Sequence, residues 1–183
     1  MIRVEHIPAK RTVYSLEDLA AGVIVDWKKP VVIIGDGESK TRYIFNRKEV
    51  TVFGINRSVK IYPADMMVCS RGHFDLLNRR VPYYIPAAII EVSDGGKFNL
   101  IKGANAIVFL SFVLENIQTK TVIIQGFNFT RSDQPRYNWN NQVQGFKKCK
   151  EIADQKGISI TMTHYNRRLK FLTVKPPDSK FFL

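Results

Sequence analysis

A chain of 183 residues with 45% hydrophobic side chains has enough apolar surface for one folded domain and is not composed like a disordered one. Its 28 Lys+Arg against 16 Asp+Glu leave a formal charge of +12, which favours encounter with acidic substrates or with polyanions such as nucleic acid, lipid headgroups or glycans. The longest apolar stretch, residues 106–114, is interrupted by Ser111 and too short to cross a bilayer, and residues 1–6 lack the basic start and apolar centre of a secretory signal, so a cytoplasmic protein is expected.

Residues 1–30 read as an N-terminal extension in which Ser15-Leu16-Glu17-Asp18 has the residue types of a helix start. Residues 31–34 are a continuous apolar run stopped by Gly35, the pattern of a strand buried on both faces. Residues 51–55 and 66–69 repeat that pattern at intervals that leave room for short helices. Cys69 and its distant companion Cys149 have no metal or redox spacing and read as reduced, packed thiols. Residues 81–92 carry Pro82 and Pro86 and read as irregular or as an edge strand.

The second half is clearer. Residues 104–117 are apolar almost all round, as a central helix laid on a sheet would be. Another apolar run, 121–124, ends at Gly126. Over 142–156, Val143, Phe146, Cys149, Ile152 and Ala153 keep helical spacing, with Lys147, Lys148 and Lys150 mostly off that face; Gly157 ends the helix and 158–162 alternate like a last strand. Alternating strands and helices predict an α/β fold: a single Rossmann-like domain over 31–175, with a mostly parallel, doubly wound sheet flanked by helices, and a C-terminal tail, 176–183, that packs back on it.

In such sheets ligands lie beyond the carboxyl ends of the strands. The first strand is followed there by Gly35-Asp36-Gly37-Glu38-Ser39, whose glycines allow close backbone approach to a nucleotide and whose Ser39 suits a helix cap. Asp36 and Glu38 suit ribose or base groups better than phosphate. The second strand is followed by Asn56-Arg57, the third by Ser70-Arg71-Gly72-His73 and the later one by Gly126-Phe127-Asn128-Phe129.

The order GDGES, then VFGIN, then KGANAIVFLSFVLENIQTKTVIIQGFNF resembles the small bacterial sialyltransferases and, equally, the related proteins that include the archaeal 6-hydroxymethylpterin diphosphokinases. The resemblance covers roughly residues 31–172. It implies that Gly35, Gly37 and Ser39 hold the nucleotide, that Asn56 binds the nucleotide or its phosphate, and that Gly103 lies under the base or ribose. Asn128 stands where the family has aspartate, Asp36 replaces Asn or Ala, and Glu38 replaces proline. The sialyltransferases place a general-base histidine in the interval equivalent to 130–145. Here that interval has no histidine and offers Arg131, Asp133, Arg136, Tyr137 and Asn138.

The resemblance thus implies an enzyme that transfers a sugar from a nucleotide sugar. Such transfer needs a base for the acceptor hydroxyl and positive groups for the leaving phosphate. The base candidates are His73, His164 and Asp133, and the phosphate candidates Arg57, Arg71 and Lys102. No D-x-D metal signature is present, so no metal is expected for this reaction. The charge sharpens the acceptor to an acidic polymer such as hydroxymethylated DNA, with Tyr137, Trp139, Tyr165 and Phe171 near Arg136, Arg167 and Arg168 placed to stack and clamp. Two alternatives stand beside this reading. One is an ATP-dependent diphosphate transferase whose Mg²⁺ would be held by Asp36, Glu38, Asp65 or Asp133. The other is a non-catalytic nucleotide or nucleic-acid binder.

Overall fold

The computed structural model describes residues 11–60, 62–70, 86, 88–92, 98–129 and 139–183. Eight strands form one parallel sheet: β1 (Thr12–Tyr14), β2 (Val31–Ile34), β3 (Thr51–Ile55), β4 (Met66–Cys69), β5 (Ala88–Glu91), β6 (Thr121–Gln125), β7 (Ser159–Met162) and β8 (Thr173–Val174), in the order β1-β5-β4-β3-β2-β6-β7-β8. Helices α1 (Leu16–Ala20), α2 (Asn105–Asn116) and α3 (Trp139–Lys156) join them. This is the expected Rossmann-like α/β architecture.

The apolar runs form strands because both faces are covered. On β2, Val31 and Ile33 face one core and Val32 and Ile34 the other, and all four are buried. The first core also takes residues of α1, α2 and α3; Phe53 and Phe109 meet edge-on at 4.7 Å between ring centroids, and Trp27 meets Phe112 at 5.9 Å. The second core is closed by Phe45, Val50, Val59, Tyr62 and Ala64, with Phe181 of the C-terminal segment against them, and Phe45 bridges Phe182. The C-terminal tail therefore packs back on the sheet. Buried Tyr62 bolts this side: its hydroxyl donates to the Tyr43 carbonyl at 3.0 Å and accepts from the Phe45 amide at 2.7 Å, while burial pushes its pKa up to about 12.

One expectation is corrected here. Residues 88–91 do not form the edge of the sheet. β5 lies between β4 and β1, and Thr12–Tyr14, from the stretch read as an extension, is the outer strand. The prolines mislead because Pro86 precedes the hydrogen-bonded residues and removes no ladder bond between 88 and 91. Ser15 caps α1 as expected: its hydroxyl accepts from the Asp18 amide at 3.1 Å, and the Asp18 carboxylate accepts from the Ser15 amide at 2.9 Å.

From β2 the chain moves outward through β3, β4 and β5, then returns over α2 to β6 on the other side of β2. The connections after β2 and β6 therefore leave to opposite faces, and the topological switch point is between them.

Candidate functional site at the carboxyl edge of the sheet

The loop after β2 is held against the loop after β6. The Gly35 amide donates to the Gln125 carbonyl at 2.7 Å and the Gly37 amide to the Gly126 carbonyl at 2.6 Å. The Ser39 amide and hydroxyl both donate to Asn128 Oδ1, at 2.9 and 2.7 Å. The glycines are required by this contact between chain segments. A Cβ on Gly35 would lie 2.7 Å from the Gly126 carbonyl oxygen, and one on Gly37 would collide with that oxygen and with Asn128 Oδ1. The expectation that Ser39 caps a helix is corrected: Gly37 occupies the cap of a four-residue 3-10 turn, Glu38–Thr41, and Ser39 lies inside it. The Ser39 hydroxyl is instead drawn to Asn128 across the switch point. Exposed Asp36 pairs with Lys40 at 3.4 Å, and Glu38 is exposed.

Two residues that the motifs did not reveal complete this seam. Gln125, buried at the end of β6, uses its whole amide. Its oxygen accepts from the Thr163 hydroxyl at 2.9 Å and the Tyr43 amide at 3.3 Å, and its nitrogen donates to the carbonyls of Lys40 at 2.6 Å and Tyr43 at 3.0 Å. Asn166, 6% exposed, donates to the Phe127 carbonyl at 2.7 Å and accepts from the Arg168 amide at 2.9 Å. The loops after β2, β6 and β7 are thereby one stitched unit. The only signal in the sequence is amide side chains at strand ends, which also occur in ordinary turns.

A second cluster lies at the end of β3. Asn56 has φ 50°, in the left-handed region. Its Oδ1 accepts from Asn105 Nδ2 at 2.9 Å, and Asn105 is the first residue of α2. Asn105 was not singled out by sequence, although an asparagine two residues after Gly103 at a helix start is a usable signal. The pair leaves one amide nitrogen, on Asn56, and one amide oxygen, on Asn105, without a partner among the described residues. Ala104 occupies the helix cap and supplies no side-chain acceptor, while the Ile107 and Val108 amides bond the Ala104 carbonyl. The amides of Asn105 and Ala106 have no described acceptor. Exposed Lys102 and Gly103, with φ 155°, lead into this helix end. Donors, a positive helix end and a lysine are brought together, an arrangement suited to an anion beside hydroxyl or base groups.

The remaining candidates are placed unevenly. His164 is half-buried just after β7, at the same edge, with no hydrogen bond among the described residues. Arg57 is the second residue of the 3-10 turn Asn56–Lys60. Arg71, His73 and Asp133, together with Arg131, Arg136, Tyr137 and Asn138, lie outside the described residues. Trp139, at the start of α3, packs against Phe129 with ring centroids 5.0 Å apart and planes tilted by 40°. Phe129, like Asn56, is left-handed, with φ 52°.

One set is taken apart. Asp65 precedes β4 and accepts from the Val52 amide at 3.0 Å, near the start of β3, with Arg47 3.6 Å away. It belongs to the amino edge of the sheet, opposite Asp36 and Glu38, and cannot share a metal with them. Burial raises its pKa, opposed by the Val52 hydrogen bond and Arg47. Among the described residues, no three His, Cys, Asp or Glu side chains are grouped to hold a metal, and no helix is long and apolar enough to cross a membrane.

No protein-family model and no curated protein matches the chain. Among solved structures, the chain is similar to a mutant of the alpha-2,3/8-sialyltransferase CstII, at 12% sequence identity and a TM-score of 0.45, over 81% of this chain and 87% of that one.

Proposed function

We propose that the carboxyl edge of the sheet binds a nucleotide, and that the protein transfers a sugar from a nucleotide-activated donor. The observation that carries this reading is the Asn56–Asn105 pair at the start of α2. A left-handed asparagine holds a second one so that a donor and an acceptor, both without a partner among the described residues, stand beside a helix end with two amides that have no described acceptor. A nucleotide offers the complement: hydroxyls or base-edge groups for the amides, and phosphate for the helix end and Lys102.

In this reaction the acceptor hydroxyl loses its proton, its oxygen bonds the sugar, and the bond from sugar to phosphate breaks with its electrons going to the nucleotide. Lys102 and the α2 amides would stabilise the charge that develops on the phosphate. His164 would take the proton; Asp133 and His73 are the other base candidates. The loop 35–39, with Asn128, acts as a wall: its glycines let it close against Gly126, and Ser39 fixes its height through Asn128. Arg57 and Arg71, which follow β3 and β4, are the further phosphate candidates. The diphosphate-transfer alternative loses Asp65 from its Mg²⁺ set because that residue lies at the opposite edge.

The test is thermal unfolding with a panel of nucleotides and nucleotide sugars. A ligand at about 100 times its Kd stabilises by about 2.7 kcal/mol, or roughly 5–10 °C for a chain of this size. The reading predicts such a rise with one nucleotide class and its disappearance in Asn105→Ala. Equal shifts in parent and variant would place the ligand elsewhere.

A further inference from the structure

We infer that a basic ridge, made by the turn after β7 and the adjoining side of α3, docks single-stranded nucleic acid. Tyr165 is 61% exposed, and Arg167, Arg168 and Lys170 behind it are exposed too. The turn is rigidly seated: Asn166 ties it to the Phe127 carbonyl, and Leu169 and Leu172 are buried beneath it. Lys147 of α3 stands 5.9 Å over the Phe171 ring and adds a fourth cation to the same side. None of these four cations pairs with an acid among the described residues, unlike Lys150 with Asp154 or Lys40 with Asp36. Residues 139–177 hold eight Lys+Arg against two acids, a local surplus of six within the overall +12.

The chemistry of the turn selects the partner. Four unneutralised cations attract phosphates and release their counterions. Arginines offer planar, bidentate donors to phosphate oxygens, and an exposed phenol ring in the same turn offers a face on which a base can stack. A lipid surface would call for several apolar side chains, whereas residues 139–177 expose only two large hydrophobic side chains, Tyr165 and Val174. This inference does not rest on the nucleotide-donor reading, because the ridge can be titrated with no donor present.

The experiment is fluorescence anisotropy of a labelled 20-nucleotide single strand titrated with the full chain at 50–200 mM salt. Three proteins are compared: the parent, Arg167→Gln/Arg168→Gln/Lys170→Gln, and a control with equal charge loss at exposed positions elsewhere, Lys28→Gln/Arg42→Gln/Lys48→Gln. The ridge variant is expected to bind at least 10-fold more weakly than the control, with a log–log salt slope shallower by about 2. Tyr165→Ala is expected to weaken binding about 5-fold or more with the parent's slope. The inference is overturned if the parent shows no binding at 50 mM salt, if the control loses as much as the ridge variant, or if Tyr165→Ala binds like the parent. Binding to phosphatidylserine vesicles without binding to the strand would also overturn it.

Discussion

Asn56 sits at φ 50°, where a residue with a Cβ is strained by about 1–2 kcal/mol and where asparagine and glycine are the residues best tolerated. Backbone and amide roles can therefore be separated. Asn56→Gly should keep the fold's stability within a few tenths of a kcal/mol and lose nucleotide binding, whereas Asn56→Ala should lose binding and about 1 kcal/mol of stability as well; urea unfolding of both variants decides. The thiols make a second prediction at this scale. Burial pushes Cys149 up to about 12 and, with a further contribution from Glu91, Cys69 up to about 11, so both stay protonated at neutral pH. Neither should react with a thiol reagent in the native protein at pH 8, and both should in denaturant. Their packed state was legible in the sequence because they have no metal or redox spacing, Cys69 closes the apolar run 66–69, and Cys149 keeps helical spacing with Val143, Phe146, Ile152 and Ala153. The importance of Gln125 and Asn166 was not, because an amide just after or at the end of a strand is meaningful only when the loops it bonds, 40–43 and 127, have been brought beside it.

Between elements, the seam over β2, β6 and β7 can be loosened at Gln125 or at Gly37. Gln125→Ala would strand the buried Thr163 hydroxyl and the half-buried Tyr43 and Lys40 backbone groups, a loss of about 2–3 kcal/mol by equilibrium unfolding. Gly37→Ala would press a methyl into the Gly126 carbonyl and Asn128, costing about 1–3 kcal/mol and loosening the loop even if no ligand touches it. The elements themselves were largely readable. Continuous apolar runs at 31–34, 51–55, 66–69 and 121–124 are strands because a parallel sheet covered on both faces has no polar side, and the all-round apolar pattern at 104–117 became the buried α2. β1 was hidden because three residues, Thr12–Tyr14, are too few for periodicity to register, and their pairing with β5 in turn made an inner strand of a segment that prolines had marked as an edge.

Across the whole molecule, Asp65 and the proposed ligand site lie at opposite edges of the sheet. Asp65 at the amino edge has its pKa raised by burial above its ordinary value of 3.8, so the folded state holds that proton more tightly than the unfolded chain. Its contribution to stability is fully present below 3.8 and is lost as pH rises through the raised folded value. Asp65→Asn should flatten that part of the stability–pH curve, measured by thermal unfolding between pH 3 and 7, and leave ligand binding at the far edge untouched. The carboxyl edge gathers Asn56, Asn105, Lys102 and His164 because parallel strands all end on one side, which is why strand order alone allowed a site to be anticipated there while its particular members came from packing. The most direct measurement is a ¹⁵N NMR titration with the nucleotide that most raises the melting temperature. A nucleotide seated at the start of α2 should shift most the side-chain amides of Asn56 and Asn105 and the backbone amides of 103–106; shifts centred instead on the amino edge, around Val52 and Asp65, or spread over the surface with no saturation, would rule that seat out.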